Sequence, residues 1–257
     1  MNDHLKSDNI IERKICINKI PAILLRPKGS RGQLSTIILY HGWSSNKEFQ
    51  RIRGMILSIV GYQVIIPDAI YHGERGNIDY NDAENMRKYF WDTILKNLDE
   101  SDDIIDGLIS QYDANPNSIG IIGHSMGGFT AAGIFTHNPK VKTSVVLNGS
   151  YNWGNSNRIF KKAFEIEEIK DLKDIENKIN KLDPMNNMKL LNNRPMLILH
   201  GASDDMVAIE SQRIFHNKIK SLYEDKTRVK LIEYPNLGHF VTTNMMEECI
   251  HWFHRYL

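Results

Sequence analysis

The chain has 257 residues, of which 41% are hydrophobic and 25% charged. This balance is typical of a globular protein and excludes general disorder, collagen and disulfide-scaffold architectures. The 32 Lys and Arg residues nearly cancel the 31 Asp and Glu residues, so the net charge of +1 provides no basic excess for nucleic-acid binding. No apolar run approaches the ~18 residues that span a bilayer. The only cysteines, Cys16 and Cys249, indicate unpaired thiols in a reducing cytoplasm.

The N-terminal segment 10–26 alternates loosely between apolar and polar residues and breaks at Asn18-Lys19, which predicts an antiparallel hairpin. Six short runs follow, most of them β-branched and nearly continuous in apolar character. Runs of this kind are typical of strands that are covered on both faces. The six predicted strands are residues 36–40, 63–66, 118–122, 143–147, 196–199 and 229–234.

Longer segments with helical periodicity lie between these strands. The predicted helices are residues 48–60, 82–111, 126–137, 209–222 and 243–256. Alternation of strands and helices predicts an α/β fold with a mostly parallel twisted sheet, right-handed crossovers and helices on both faces. We therefore expect one α/β domain over residues 1–257.

Residues 151–193 interrupt this alternation, because they contain no strand candidate and many charges at helical spacing. The pattern predicts one or two amphipathic helices inserted between two strands. One interpretation is a solvated decoration; the other is a helical cap over a functional site, since long insertions in compact domains often act as lids. Four aromatic residues at its start are candidates for a substrate pocket, although a cap helix also needs an apolar face to dock. They are Tyr151, Trp153, Phe160 and Phe164.

The strongest chemical signal is the G-x-S-x-G pentapeptide Gly123-His124-Ser125-Met126-Gly127. A predicted strand precedes it and a helical pattern follows it. In a sharp strand-to-helix turn the backbones come close together, so a side chain at either glycine would clash. Such a turn exposes the Ser125 hydroxyl beside a helix N-terminus, where it can act as a nucleophile. The alternative is a glycine-rich turn with an incidental serine.

This pentapeptide and its setting resemble the α/β-hydrolase superfamily, and the resemblance extends over nearly the whole chain, from the first hairpin to the last helix. His41-Gly42-Trp43, directly after a predicted strand, matches the family turn that supplies one backbone N–H of the oxyanion hole. The resemblance therefore implies that the backbone N–H groups of Trp43 and Met126 form that hole. The imidazole of His41 is interpreted as a turn or core group.

Two later motifs are similar to family patterns that carry the other catalytic groups. Segment 200–207 resembles H-G-x-x-D-x-x-V and implies that the acid is Asp204, with its neighbour Asp205 as the alternative. His239 lies between Gly238 and Phe240 in the loop before the last predicted helix. Because it follows the serine and the acid in the sequence, it completes the chain order serine, acid, histidine that is typical of this fold.

Segment 67–76 ends in His-Gly-Glu-Arg-Gly and resembles a group of small bacterial esterases in the dienelactone-hydrolase and prolyl-oligopeptidase-like branch. The sequence Phe-Trp-Asp at 90–92 adds to that resemblance. One interpretation is that the charged residues of the segment hold a loop in place. The other is that His72, Glu74 or Arg75 borders the substrate pocket.

The resemblance implies a Ser125–His239–Asp204 serine hydrolase that cleaves small carboxylic esters through an acyl-enzyme. It implies no metal or organic cofactor, and no nucleic-acid or membrane partner is expected. Thioesters, amides and small peptides are alternative substrates, because the same residues serve each of them. The rival from another class is a non-catalytic ligand-binding protein of the same fold. The natural substrate and the oligomeric state are left open by the sequence.

Overall fold

The computed structural model describes residues 6–163 and 173–257, and within those ranges eight strands form a single sheet. The strands are β1 (Ile10–Ile17), β2 (Ile20–Pro27), β3 (Leu34–Tyr40), β4 (Gln63–Pro67), β5 (Ala114–His124), β6 (Val141–Leu147), β7 (Met196–Gly201) and β8 (Val229–Tyr234). Their order across the sheet is β1-β2-β4-β3-β5-β6-β7-β8. The pairs β1–β2 and β2–β4 are antiparallel and the other five are parallel. The predicted mostly parallel sheet is confirmed.

The N-terminal hairpin turns at Asn18 and Lys19, which have φ values of 48° and 70°. Two consecutive left-handed residues are the signature of the tight turn that matches the twist of paired strands. Ile17 and Ile20 face each other across this turn, so the hairpin is in register up to its last residues. The hairpin predicted from the loose alternation of segment 10–26 is confirmed.

Eight α-helices lie within the described ranges, and none of them is both long enough and apolar enough to traverse a lipid bilayer. The helices are α1 (Arg51–Ile59), α2 (Ala83–Asp99), α3 (Ser101–Gln111), α4 (Met126–His137), α5 (Trp153–Ala163), α6 (Lys173–Leu182), α7 (Glu210–Leu222) and α8 (Thr243–Tyr256). Short 3-10 turns occupy Glu48–Gln50, Gly73–Arg75, Met188–Leu191 and Lys226–Arg228.

The single helix predicted over 82–111 is wrong in one respect, because it is divided into α2 and α3 at Glu100. The Ser101 hydroxyl donates to the carbonyl of Leu98 at 2.8 Å and so competes with the backbone ladder at this point. The Glu100 carboxylate accepts two hydrogen bonds of 2.7 Å from the Arg75 guanidinium. A distant charge therefore fixes the junction, and no local pattern reveals it.

Alternate residues of β3 enter two separate cores, one on each face of the sheet. Ile38 and Tyr40 belong to the core that α3, α4 and α7 cover, whereas Ile37 and Leu39 belong to the core under α1 and α8. All four side chains are buried. Coverage on both faces explains why the strand runs are continuously apolar instead of alternating.

The segment between β6 and β7 forms α5 and α6, and the buried Asp183 holds the start of α5. One Asp183 oxygen accepts the N–H of Trp153 at 3.0 Å and the other accepts that of Gly154 at 2.8 Å. Carboxylates are favoured at helix N-termini because they satisfy free N–H groups. The candidate residue Phe164 lies outside the described residues. The function of this segment as a cap stays a prediction.

A buried ion pair joins the loops that follow β3 and β4. The Lys47 side chain is only 2% exposed, and its ammonium contacts the Asp68 carboxylate and lies 2.9 Å from Glu74 Oε1. Asp68 also accepts the backbone N–H groups of Lys47 and Glu74, both at 2.9 Å. Burial by itself lowers the pKa of Lys47, but the hydrogen bonds to both carboxylates raise it overall and keep the ammonium charged. The interaction fixes the two loops that border the site described below.

Replacing Lys47 by Met leaves the buried Asp68 carboxylate without its cation, so we expect the free energy of unfolding to fall by about 3–5 kcal/mol. Lys14→Met is the matched control, because Lys14 contacts Glu74 from a side chain that is 55% exposed. Its loss should cost less than about 1 kcal/mol. Urea unfolding followed by circular dichroism measures both changes, and equal stability of the two variants would contradict this account.

Candidate active site

The predicted catalytic residues lie in loops that leave the sheet at one edge. Ser125 follows β5, Asp204 follows β7 and His239 follows β8, while Trp43 follows β3. Because these strands are parallel neighbours in the sheet, their carboxyl ends meet at the same edge. Ligand sites of open α/β sheets form at that edge.

Ser125 occupies a strained turn between β5 and α4. Its φ of 57° and ψ of −123° lie in a region that non-glycine residues rarely adopt. A Cβ on Gly127 would lie 2.3 Å from the carbonyl oxygen of Tyr40, and one on Gly123 would lie 1.9 Å from the carbonyl oxygen of Gly127. Both glycines of the pentapeptide are therefore required by backbone contact.

Asp204 and His239 form a hydrogen-bonded acid–base pair. The distance from His239 Nδ1 to Asp204 Oδ2 is 2.7 Å, and the Asp204 side chain is fully buried. Its other oxygen accepts the N–H groups of Met206 and Val207, both at 2.9 Å. Burial by itself raises the pKa of Asp204, but hydrogen bonds from His200, His239 and the Val207 N–H outweigh it and hold the pKa well below its usual range. The group is therefore a carboxylate that accepts the Nδ1 proton of His239.

His239 packs directly against the serine turn. Its ring lies 4.9 Å, centroid to centroid, from the ring of His124, the residue before Ser125. Burial lowers the pKa of His124 to about 3, and the charges of His239 and Arg53 act in the same direction. His124 is thus a neutral packing partner, while the His239 side chain is 18% exposed and open to a substrate.

The loop after β3 touches the same turn. A Cβ on Gly42 would lie 3.3 Å from both the Cβ of Ser125 and the carbonyl oxygen of His124. Met126 is the first residue of α4, so its N–H has no acceptor within the helix. Within the described ranges, no carbonyl outside the regular helices and strands accepts from the N–H of Trp43 or Met126. Two N–H groups beside a nucleophile provide what an oxyanion hole requires, and this assignment stays a prediction.

His41 and His72 are buried parts of the scaffold around Trp43. His41 Nδ1 donates to the Gly42 carbonyl at 2.8 Å, and its Nε2 accepts the N–H of Ala69 at 3.0 Å. His72 packs between the rings of Trp43 and Tyr80, with centroid distances of 5.2 and 4.8 Å. His72 therefore touches the site through the Trp43 ring and not through an open pocket wall. Arg75 forms an ion pair with Glu100, and Glu74 forms one with Lys47.

The predicted aromatic pocket needs correction. Tyr151 stacks on Phe215 in the sheet core, with ring planes 11° apart and centroids at 4.7 Å. Trp153 is also fully buried and packs against Trp91 at 5.4 Å. Both rings are fully buried and dock α5 and its preceding loop on the domain, which makes them part of the packed interior. Of the candidates within the described residues, Phe160 does line one.

That cavity has a volume of about 90 Å³ and lies between α5 and the loop after Asp204. Six residues that line it are Ser156, Ile159, Phe160, Met206, Val207 and Ala208. Val207 connects it to the acid, because its N–H donates to Asp204. Its side chain belongs to an apolar cluster with Met126 and Phe90, against which Trp43 and Phe160 pack.

Asn148 is a site residue that the sequence analysis missed. Its side-chain oxygen accepts the N–H of Gly201 at 3.0 Å, and its amide nitrogen donates to the carbonyl of Phe240 at 2.9 Å. Gly201 is the last residue of β7, directly before the loop with Asp204, and Phe240 follows His239, so a single buried amide joins both loops. The sequence signal that could have indicated this residue is the Asn-Gly pair directly after the strand β6. In the structure Asn148 has a φ of 45°, which is typical of such a turn residue.

The sequence model of the prolyl oligopeptidase family matches residues 93–257, which include Ser125, Asp204 and His239. The chain belongs to the prolyl oligopeptidase family. The β3 loop with Trp43 lies before the matched region. This family member keeps the α/β-hydrolase fold that the sequence predicted, with the N-terminal antiparallel hairpin present.

Two relatives match this prolyl oligopeptidase family member along nearly their whole length. "Putative esterase YitV" of Bacillus subtilis (strain 168) is 28% identical over 252 residues, covering 94% of this chain and 97% of the relative. "Esterase YjfP" of Escherichia coli (strain K12) is 24% identical over 245 residues, covering 93% and 96%. The crystal structure of TT1662 from Thermus thermophilus superposes with a TM-score of 0.78 at 15% identity, over 96% of this chain and 97% of that one. The family and both named relatives are hydrolases, and this chain is a hydrolase.

Over residues 6–163 and 173–257, no three His, Cys, Asp or Glu side chains form a group that could hold a metal ion. Cys16 is exposed and Cys249 is buried, and neither forms a disulfide.

Replacing Asn148 by Asp keeps an acceptor for Gly201 and removes the donor to the Phe240 carbonyl. We expect kcat for an ester to fall about 10–100-fold with the fold retained, since small misplacements of catalytic groups carry costs of this size. Asn117→Asp is the control, because Asn117 is exposed near the opposite end of β5. Steady-state kinetics and circular dichroism test the pair, and undiminished turnover in Asn148→Asp would contradict the bridging role.

Proposed function

We propose that this hydrolase cleaves carboxylic esters of small molecules through an acyl-enzyme formed on Ser125. The observation that carries the proposal is the 2.7 Å contact between His239 Nδ1 and Asp204 Oδ2, packed against the strained turn of Ser125. The two relatives that match nearly the whole chain are both named as esterases, which supports ester bonds as the target.

The first step is general-base attack. A serine hydroxyl is a poor nucleophile at neutral pH and needs a base to accept its proton. Asp204 holds the Nδ1 proton of His239, so Nε2 is the nitrogen with a free lone pair. As the Ser125 oxygen bonds to the ester carbon, its proton passes to Nε2, and the Asp204 carboxylate stabilises the imidazolium that forms.

The carbonyl oxygen of the substrate gains negative charge in this step. The N–H groups of Trp43 and Met126 would donate to it, and loss of one such donor typically costs about 10²–10³ in rate. Both donors are backbone groups, and the loop that carries Trp43 is fixed by the Lys47–Asp68 pair and by His41. The proposed hole would therefore be in place before the charge develops.

The intermediate collapses when the bond to the leaving alcohol breaks. The imidazolium of His239 returns its proton to the departing oxygen, which leaves an acyl group on Ser125. Water then repeats the sequence, with Nε2 accepting its proton during attack on the acyl carbon. The products are a carboxylic acid and an alcohol, and the side chains return to their starting protonation states.

Amide or peptide cleavage is the second candidate, because the name of the family refers to an oligopeptidase. The same triad can attack an ester or an amide, so the triad alone does not determine which bond is cleaved. Ester bonds are favoured here because the relatives of matching length carry esterase names. A peptide p-nitroanilide hydrolysed as fast as the corresponding p-nitrophenyl ester would favour the second candidate.

A fluorophosphonate probe should label the protein once per chain, and Ser125→Ala should abolish the label. Asp204→Asn should fold normally, because the amide oxygen still accepts backbone N–H groups, but kcat for p-nitrophenyl acetate should fall by about 10⁴. Asp205→Asn is the matched control at the exposed neighbouring position.

Intact-mass spectrometry reads the label, and steady-state kinetics reads turnover in the two Asp variants. Labelling that persists in Ser125→Ala would refute the nucleophile. Similar losses in Asp204→Asn and Asp205→Asn would refute the acid.

A further inference from the structure

The hydroxyl of Ser156 is buried and has no hydrogen-bond partner among the residues that the structure describes. The residue is 4% exposed and lies in the first turn of α5. A hydroxyl on a helix commonly bonds the carbonyl one turn back, as Thr136 does to Ala132 at 2.8 Å. Ser156 does not, although its N–H does bond the Asn152 carbonyl. An unsatisfied buried hydroxyl is costly, so it points to a group that arrives from outside.

Ser156 lines the cavity between α5 and the acid loop. The other walls named above are the apolar side chains of Ile159, Phe160, Met206, Val207 and Ala208. The volume of about 90 Å³ is several times the roughly 10–15 Å³ that a cavity needs to hold one water molecule. An ordered water needs two to four polar partners, and this cavity supplies few. Its size and lining fit a chain of about three or four heavy atoms with one polar group.

The cavity is linked to Asp204 through Val207, which lines it and whose N–H donates to the Asp204 carboxylate at 2.9 Å. Val207 packs in one apolar cluster with Met126, whose N–H is assigned to the oxyanion hole. Residues of the base loop, Leu237 and Val241, pack instead in the core under α1 and α8. In the proposed mechanism the leaving alcohol faces His239, which protonates it, so the acyl chain would extend towards Met126 and Val207.

Charge narrows the chemistry of that chain further. Asp205 also lines the cavity, and its side chain is exposed. A carboxylate at this point repels an anionic chain end, whereas a neutral hydroxyl can both donate and accept. An anionic chain end is therefore disfavoured, and the Ser156 hydroxyl favours a chain end that forms hydrogen bonds.

We propose that this cavity binds the acyl chain of short hydroxyacyl esters, and that Ser156 Oγ recognises their hydroxyl group. The proposal rests on the function given above and specifies its substrate class. A 3-hydroxybutyryl group is an example of such an acyl chain, with four carbons and one hydroxyl. Ser156 is then a specificity-determining residue, which touches the substrate away from the bond that is cleaved.

Two p-nitrophenyl esters that differ by one hydroxyl test the proposal, the butyrate and the 3-hydroxybutyrate. We expect the wild type to prefer the hydroxylated ester about tenfold in kcat/KM, as one hydrogen bond at a buried hydroxyl allows. Ser156→Ala should bring the ratio near one, with the butyrate rate within about threefold of wild type. Ser110→Ala is the control, because its hydroxyl bonds the Asp106 carbonyl on the exposed face of α3.

A second variant tests the location of the chain. Ala208→Leu fills the cavity and should lower kcat/KM for both four-carbon esters at least tenfold more than it lowers kcat/KM for p-nitrophenyl acetate. A wild-type ratio of the two kcat/KM values near one would overturn the proposal, and so would a ratio that Ser156→Ala leaves unchanged. In either case, turnover of the butyrate would still support the proposed esterase function. Wild-type protein that turns over neither these two esters nor p-nitrophenyl acetate overturns the proposed function and this inference together.

Discussion

The hydrogen bond from His239 to Asp204 is the interaction on which the chemistry proposed for Ser125 depends. It joins two loops that leave neighbouring strands, and their approach is close enough to exclude a side chain at Gly201, where a Cβ would lie 2.3 Å from the carbonyl oxygen of Gly238. The N–H of Ser203 donates to the Leu237 carbonyl at 2.9 Å and adds a backbone link between the same loops. Main-chain contacts thus help to position Asp204 and His239.

Strain and packing balance each other at the serine turn. The backbone of Ser125 is held in a conformation that costs of order 1–3 kcal/mol, and such strain persists only where the surroundings over-determine it. Here the surroundings are the close contact of Gly127 with the Tyr40 carbonyl, the Gly42 loop and the bond from the Ser125 N–H to the Leu147 carbonyl. The same contacts that force the turn also bring the loop that carries Trp43 beside Ser125.

The features that the sequence predicted well are those whose cause is local. The hairpin at Asn18-Lys19, the limits of α4 and α8, and the turn at Ser125 follow from alternation, helical period and glycine placement. Each of these signals is read within about a dozen residues. The chain order of serine, acid and histidine then indicated which strand ends carry the chemistry, and the structure brings Asp204 and His239 into contact.

The features that were missed have causes far away in the chain. Tyr151 looked like a pocket residue because it begins the insertion, but it stacks on Phe215 about sixty residues later. Asn148 belongs to no catalytic sequence motif. Its side chain bridges Gly201 and Phe240, which only the folded sheet brings together. The unsatisfied hydroxyl of Ser156 is likewise invisible in a sequence, because burial and missing partners are properties of the fold.

The central claim is that Ser125, His239 and Asp204 act as one unit on an acyl carbon. A crystal structure of the protein after reaction with a p-nitrophenyl alkylphosphonate tests it most directly. The account predicts phosphorus bonded to Ser125 Oγ, with a phosphonyl oxygen about 2.7–3.1 Å from the N–H groups of Trp43 and Met126. It also predicts His239 Nε2 within hydrogen-bond distance of a phosphonate oxygen. Phosphorus on another residue, or an oxygen turned away from both N–H groups, would contradict it.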